Sequence, residues 1–102
     1  MRAEERRFDV KIKGGAWIHV RMRRDVEKGF DWAAVLTVER DGGLVPVCVF
    51  DNAHGHPERH RIRDGIKGSP EPQPSRGSAR LDLPATIAEI KADWEGMVER
   101  WL

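Results

Sequence analysis

The sequence predicts an α+β domain, an antiparallel β-meander of four to five strands with one C-terminal amphipathic helix packed on one face. Three patterns in the 102-residue chain predict it. Apolar and polar residues alternate through the first half, Asp41-Gly42 is a tight-turn signal between two apolar runs, and apolar residues recur at spacings of four and three near the end. A chain of this length has room for one domain. We expect sheet over 5–63, a Pro-, Gly- and Ser-rich loop over 64–80, and helix over 83–102.

The first two strands are predicted to form a β-hairpin around two consecutive glycines. A two-residue loop would place His19 and Arg21 on the apolar face of the hairpin. A three-residue loop beginning at Gly14 pairs apolar residues with apolar residues, with Ile12 beside Ile18. We therefore expect the three-residue loop.

The outer face of this hairpin is expected to carry a basic strip with one exposed aromatic ring, and its register places His19 beside Lys11. Residues 1–24 hold eight basic and three acidic groups, a net charge of +5. Cations interleaved with an aromatic ring are suited to single-stranded nucleic acid, so the strip is a candidate RNA-binding surface. A charged solvent-facing surface is the alternative interpretation. The candidate substrate-binding residues of the strip are Lys11, Trp17, His19, Arg21 and Arg23.

The third and fourth strands are predicted over 32–38 and 44–50, after a polar connection, and both of their faces are apolar. Pairing across the turn sets Leu36 beside Val47. Pro46 lacks an N–H for the ladder, so its strand is expected to have a free side or a bulge there. One helix covers one face only, and a homodimer is expected to cover the other.

The segment 51–63, DNAHGHPERHRIR, concentrates ionisable side chains where the fourth strand ends and a short fifth strand begins at 59. Histidines that act as general acid and base, with cations near the phosphate, cut RNA through its own 2′-hydroxyl without metal. In this interpretation His54 and His60 are the acid–base pair and Asp51 orients an imidazole. The phosphate is held by Arg59 and Arg61.

Two other interpretations of the same segment remain open. No cofactor is predicted, but the fallback is a metal site built by His54, His56 and His60, with Asp51 as the alternative third ligand, because imidazole and carboxylate suit zinc and similar ions. The structural interpretation has Asp51 and Asn52 capping a turn and the histidines held by local hydrogen bonds.

The cysteine content and the hydropathy of the chain predict where in the cell the protein is found. The single cysteine, Cys48, rules out an intramolecular disulfide, and its valine neighbours indicate a buried thiol. The chain has no apolar run long enough for a signal peptide or a spanning helix. We expect a soluble cytoplasmic protein with no membrane partner.

The run FDNAH over 50–54, the following segment that ends in His60-Arg61, and a C-terminal amphipathic helix ending in tryptophan together resemble small prokaryotic proteins of the TumE type. That family consists of toxins of two-gene toxin–antitoxin modules. The resemblance implies a growth-inhibiting protein, masked by a co-encoded antitoxin, that acts on RNA. It carries over Asp51, Asn52, His54 and His60, whereas the insert between the two histidine runs is shorter here than in the family. A noncatalytic module that binds protein or nucleic acid through the same edge is the alternative.

Overall fold

The computed structural model describes residues 4–25 and 29–102, which form an antiparallel sheet and one helix. The strands follow one another along the sheet from β1 to β6, and β7 pairs with β5. This confirms the α+β meander and adds two short strands beyond Asp64. The predicted connection over 24–29 falls partly on 26–28, outside the described residues. The elements are β1 (Glu4–Ile12), β2 (Ala16–Asp25), β3 (Gly29–Arg40), β4 (Gly43–Asp51), β5 (Glu58–Arg63), β6 (Ile66–Lys67), β7 (Glu71–Pro72) and α1 (Ala79–Trp101).

The first hairpin has the predicted three-residue loop, but the loop lies one residue earlier than expected. Ala16 is fully buried and opens β2 opposite Ile12. Both glycines of the loop have positive φ values, 107° and 89°, which suit a turn rather than a strand. The pairing of β1 with β2 is therefore shifted by two residues from the predicted register. Each residue stays on the face of the sheet that was predicted for it. The expected neighbour of His19 was wrong, since His19 lies opposite Asp9 and not Lys11.

The fourth strand carries a β-bulge just after its proline. Thr37 pairs with Pro46, whereas the next residue of β3, Leu36, pairs with Cys48. Val47 is the extra residue, and Val47 and Cys48 are both fully buried. The predicted irregularity at Pro46 is confirmed, but the predicted pairing of Leu36 with Val47 was wrong because the bulge takes up one residue.

The bulge decides which side of the sheet the end of β4 faces. Phe50 pairs with Ala34 and is buried under α1, whereas uninterrupted pairing would have set it beside Ala33. Asp51 pairs with Ala33 instead, so its carboxylate lies on the side of the sheet away from α1, which we call the open face.

The helix packs its apolar stripe on the sheet as predicted, but it begins earlier. It starts at Ala79 because the Ser78 side chain accepts a hydrogen bond from the Leu81 N–H and caps it, which leaves Pro84 inside the helix rather than in its first turn. Within residues 4–25 and 29–102, no helix is both long and apolar enough to cross a membrane. The stripe consists of the buried Leu83, Ile90 and Met97 and the partly buried Ile87, Trp94 and Trp101.

The segment 68–79, part of the loop predicted over 64–80, is tied to the domain at two points. Its strand β7 pairs with β5. Its distal part is held by Asp82, a buried carboxylate of the first helical turn that accepts hydrogen bonds from the Ser75 hydroxyl and the Arg76 N–H. The segment therefore closes the sheet onto the helix.

We expect Ile90→Ala to lower the free energy of unfolding by about 2–5 kcal/mol, because the side chain is fully buried between helix and sheet. Ile66, 73% exposed, is the matched control, and its replacement by alanine should change stability by no more than about 0.5 kcal/mol. Urea unfolding followed by tryptophan fluorescence measures both. Equal losses in the two variants would contradict the core described above.

Burial raises the pKa of the Cys48 thiol to about 12, so the thiol stays protonated at neutral pH. We expect no reaction with a thiol-specific disulfide reagent in the native protein and reaction of one thiol per chain in urea. Fast labelling of the folded protein, with its tryptophan emission unchanged, would show that the thiol is accessible.

Candidate functional site: a histidine–carboxylate cluster

The turn between β4 and β5 is fixed by the side chain of Asn52. Its Oδ1 accepts the Trp32 N–H at 2.8 Å and its Nδ2 donates to the Phe30 carbonyl at 3.0 Å, which extends the ladder to β3 beyond the last residue of β4. The Asn52 carbonyl accepts the Gly55 N–H within the turn. Asp51 and Glu58 are thereby set directly opposite one another across β4 and β5.

Asp51, Glu58 and His60 form a buried cluster on the open face, each about 5% exposed. One ligand atom from each lies within 4.8 Å of the others. Strand geometry explains the convergence, because Glu58 and His60 are two residues apart on β5 and so share a face. Two carboxylates directly opposite on neighbouring strands repel one another, so the cluster needs positive charge.

The imidazole of His60 presents an unpaired nitrogen to these carboxylates. Its Nδ1 donates to the Gly68 carbonyl at 2.9 Å, which leaves a lone pair on Nε2 of the neutral ring. Nε2 is buried without a hydrogen-bond partner and lies 3.7 Å from Asp51 Oδ2, beyond hydrogen-bonding distance. The other unpartnered buried side-chain nitrogens in the described part of the chain, Trp32 Nε1 and Arg59 Nε, are not among the three residues of the cluster. A cation or an added proton at Nε2 would remove the repulsion.

Two exposed histidines contact the other side of Glu58. His54 Nδ1 lies 2.6 Å from Glu58 Oε1 and His56 Nε2 lies 3.3 Å from Oε2, while their side chains are 66% and 53% exposed. The hydrogen bond from His54, with the nearby charges of His54 and His56, holds the pKa of Glu58 below its usual range. Glu58 therefore stays ionised at neutral pH and orients both imidazoles.

Of the three cluster residues, Asp51 lines a cavity of about 530 Å³ on the open face. Lys67 stands at its edge, with Nζ 3.1 Å from Asp51 Oδ2. Half-buried apolar side chains of β3 and the buried Val49 form part of the lining. The charged and polar residues that line the cavity are Arg7, Asp9, His19, Arg21, Asp51 and Lys67.

The predicted basic strip is present on the open face, but carboxylates neutralise much of it. His19 uses both ring nitrogens, at 2.9 Å from Asp9 Oδ1 and 2.7 Å from Thr37 Oγ1. Arg23 pairs with Asp31 at 3.0 Å. Of the five strip residues, His19 and Arg21 line the cavity in front of the cluster.

The other two members of the strip lie together away from that cavity. The Lys11 ammonium is 5.4 Å from the ring centroid of Trp17, a cation–π contact across β1 and β2. A nucleic-acid base that stacked on Trp17 would therefore lie close to the positive charge of Lys11.

Arg59 and Arg61 are not brought together with His60. Alternation along β5 places them on the helix side, where Glu71 lies 3.1 Å from Arg59 and 3.0 Å from Arg61. Their guanidinium groups lie 4.6 and 5.9 Å from the Trp101 ring centroid. The hydrogen bonds from Arg61 and then Arg59 lower the pKa of Glu71. These arginines clamp β7 and the helix end, so the predicted phosphate site around His60 does not form.

Sequence reasoning missed Glu58 and Lys67. The signal for Glu58 was available, since continuing the β4 pairing across a six-residue turn sets Glu58 opposite Asp51. The fallback metal set also changes, because the two alternative third ligands, His60 and Asp51, both lie in the cluster and Glu58 joins them. His54 and His56 contact the exposed side of Glu58 instead.

Comparisons with protein-family models, with curated proteins and with solved structures gave no match.

We expect the stability difference between the wild-type protein and Glu58→Gln, measured without metal, to shrink as the pH falls. A carboxyl with a lowered pKa stabilises the fold above its unfolded pKa and loses that contribution as the pH falls through its folded pKa. Thermal unfolding between about pH 7 and about pH 3 measures the difference. The exposed Glu99→Gln is the matched control and should follow the wild-type profile. A difference that stays constant with pH would refute the assigned ionisation of Glu58.

Proposed function

We propose that the protein cleaves RNA phosphodiester bonds with the help of a divalent metal ion held by Asp51, Glu58 and His60. The observation that carries the proposal is the unpartnered Nε2 of His60, buried beside two carboxylates. Asp51 is also contacted by Lys67 and Glu58 by His54 and His56, but no donor reaches His60 Nε2, and a cation shared by the three residues would pair with it.

The donor set and its surroundings fit a metal ion of the Mn²⁺ or Zn²⁺ type. Two carboxylates and one imidazole are ligands that such ions accept, and a three-residue set leaves positions for water or substrate. The hydrogen bond from His60 Nδ1 to the Gly68 carbonyl fixes the tautomer that frees Nε2. His54 and His56 contact the outer side of Glu58, as hydrogen-bonding groups do around a ligating carboxylate.

The metal ion would lower the pKa of a bound water molecule and thereby supply a nucleophile at neutral pH. The chain's own cations would hold the substrate, with Arg7 and Arg21 on the cavity wall facing the phosphate. His54 keeps its Nε2 free at the exposed side of the cluster for proton transfer. The metal-independent route predicted from the sequence needs Arg59 and Arg61 to hold the phosphate beside His60. Both arginines lie on the other side of the sheet, so we propose a metal-assisted route in its place.

We place this activity in a toxin-like protein of the cytoplasm, with a co-encoded antitoxin and a second copy of the chain as partners. Support comes from where the FDNAH run lies. Within this run, Asn52 fixes the turn and Asp51 belongs to the buried cluster. His54 contacts Glu58, the second carboxylate of the cluster. An antitoxin that covers the open-face cavity would mask the proposed catalytic and RNA-binding residues together.

The substitution His60→Asn tests the ligand set. Asparagine Nδ2 takes the place of imidazole Nδ1, so the bond to the Gly68 carbonyl is kept while Nε2 is removed. We expect Mn²⁺ affinity in calorimetry to fall by at least about 100-fold, since loss of an outer hydrogen-bonding partner alone typically costs 10- to 100-fold. Cleavage of a fluorescent single-stranded RNA, and growth inhibition on expression in bacteria, should be lost with it.

Glu99→Gln on the exposed side of α1 is the control and should bind Mn²⁺ and cut RNA as the wild type does. Unchanged Mn²⁺ binding by a folded His60→Asn protein would refute the ligand set. Metal binding by the wild type without RNA cleavage would leave a noncatalytic binding module as the function.

A further inference from the structure

The outer edge of β1 has no strand beside it among the described residues, where β1 pairs with β2 alone. We infer that two copies of the chain associate by pairing their β1 strands antiparallel, with the two-fold axis at Phe8, so that the two sheets become one. This inference goes beyond the proposed function and does not depend on it.

The charges of β1 are self-complementary in that register. On the open face, β1 carries alternating signs at Glu5, Arg7, Asp9 and Lys11. An antiparallel copy centred on Phe8 places Glu5 opposite the partner's Lys11 and Arg7 opposite the partner's Asp9. Symmetry repeats each pair, so every charged position on this face of the strand meets an opposite charge.

Neighbouring registers are unfavourable. A slip of two residues in one direction sets Asp9 opposite the partner's Asp9 and Arg7 opposite Lys11. A slip of two in the other direction sets Arg7 opposite the partner's Arg7 and Glu5 opposite Asp9. Like charges directly opposite destabilise strand pairing, and a slip of one residue turns Phe8 away from the helix side. A single register is therefore selected.

The charged side chains of the edge remain accessible. Arg7 and Glu5 are 72% and 42% exposed, and the ion pair between them is long, at 3.4 Å. Asp9 is 59% exposed although it holds His19. Exposed pairs of this kind exchange partners at little cost, so an incoming strand can engage them.

The helix side of the same edge carries an uncovered apolar surface. Phe8 is 40% exposed because α1 does not reach across β1. It borders a cavity of about 560 Å³ whose apolar lining includes Met22, Phe30, Leu83 and Ile87. The partner's Phe8 would lie directly beside it and cover this surface. The dimer predicted from the sequence used the face of β3 and β4, whereas this one uses the edge of β1, whose Arg7 and Asp9 also line the cavity before the cluster.

Charge reversal with rescue tests the register. The wild type should sediment at moderate concentration with a mass near twice 11.6 kDa. Glu5→Lys and Lys11→Glu, each alone, set like charges opposite one another twice per dimer and should raise the dimer dissociation constant at least tenfold. The double variant restores opposite charges and should return the constant to within a few-fold of wild type.

Lys13→Glu changes net charge as Lys11→Glu does but lies in the hairpin loop, so it should leave the dimer intact. Circular dichroism checks that the variants are folded. A monomeric wild type at millimolar concentration, or a dimer that both single variants leave unchanged, would overturn the inference. Neither Glu5 nor Lys11 lines the cavity before the cluster, so failure here is distinct from failure of the proposed activity.

Discussion

A single helix can bury only one face of a sheet, and the arrangement of this domain follows from that constraint. The 23 residues of α1 cover the side on which Trp32 and Phe50 lie. The opposite face has to be stable in contact with solvent, and it achieves this through ion pairs and hydrogen bonds between strands, such as those of His19 to Asp9 and Thr37. A partly buried polar surface on a rigid sheet is suited to hold reacting groups in fixed positions.

The cluster at the end of that face depends on charge balance around Glu58. Its carboxylate is shared by two exposed imidazoles and faces Asp51, whose own charge is met by Lys67. Because these groups are linked through shared atoms, their contributions to stability are not additive.

Local patterns in the sequence predicted the elements, and long-range pairing decided the site. The alternation of apolar and polar residues along β1 and β2 and the apolar stripe of α1 are strong patterns between residues close in sequence. The meander and the buried face of the helix were therefore predictable. The face of the sheet on which Asp51 lies was not, because it depends on the bulge in β4. Arg59 and His60 are adjacent in sequence but lie on opposite faces once β5 is a strand.

The bulge at Val47 has a consequence for how the chain tolerates changes in length. It reverses the alternation of side chains between the two faces of the sheet along β4. Val45 and Phe50 therefore both face the helix, although they are five positions apart. Deletion of Val47 would leave both halves of β4 with their present partners, whereas pairing of Val47 within the ladder would turn the strand end inside out, with Phe50 in solvent and Asp51 in the apolar interior. A fourth strand of the same length that paired without a bulge would therefore lack this cluster.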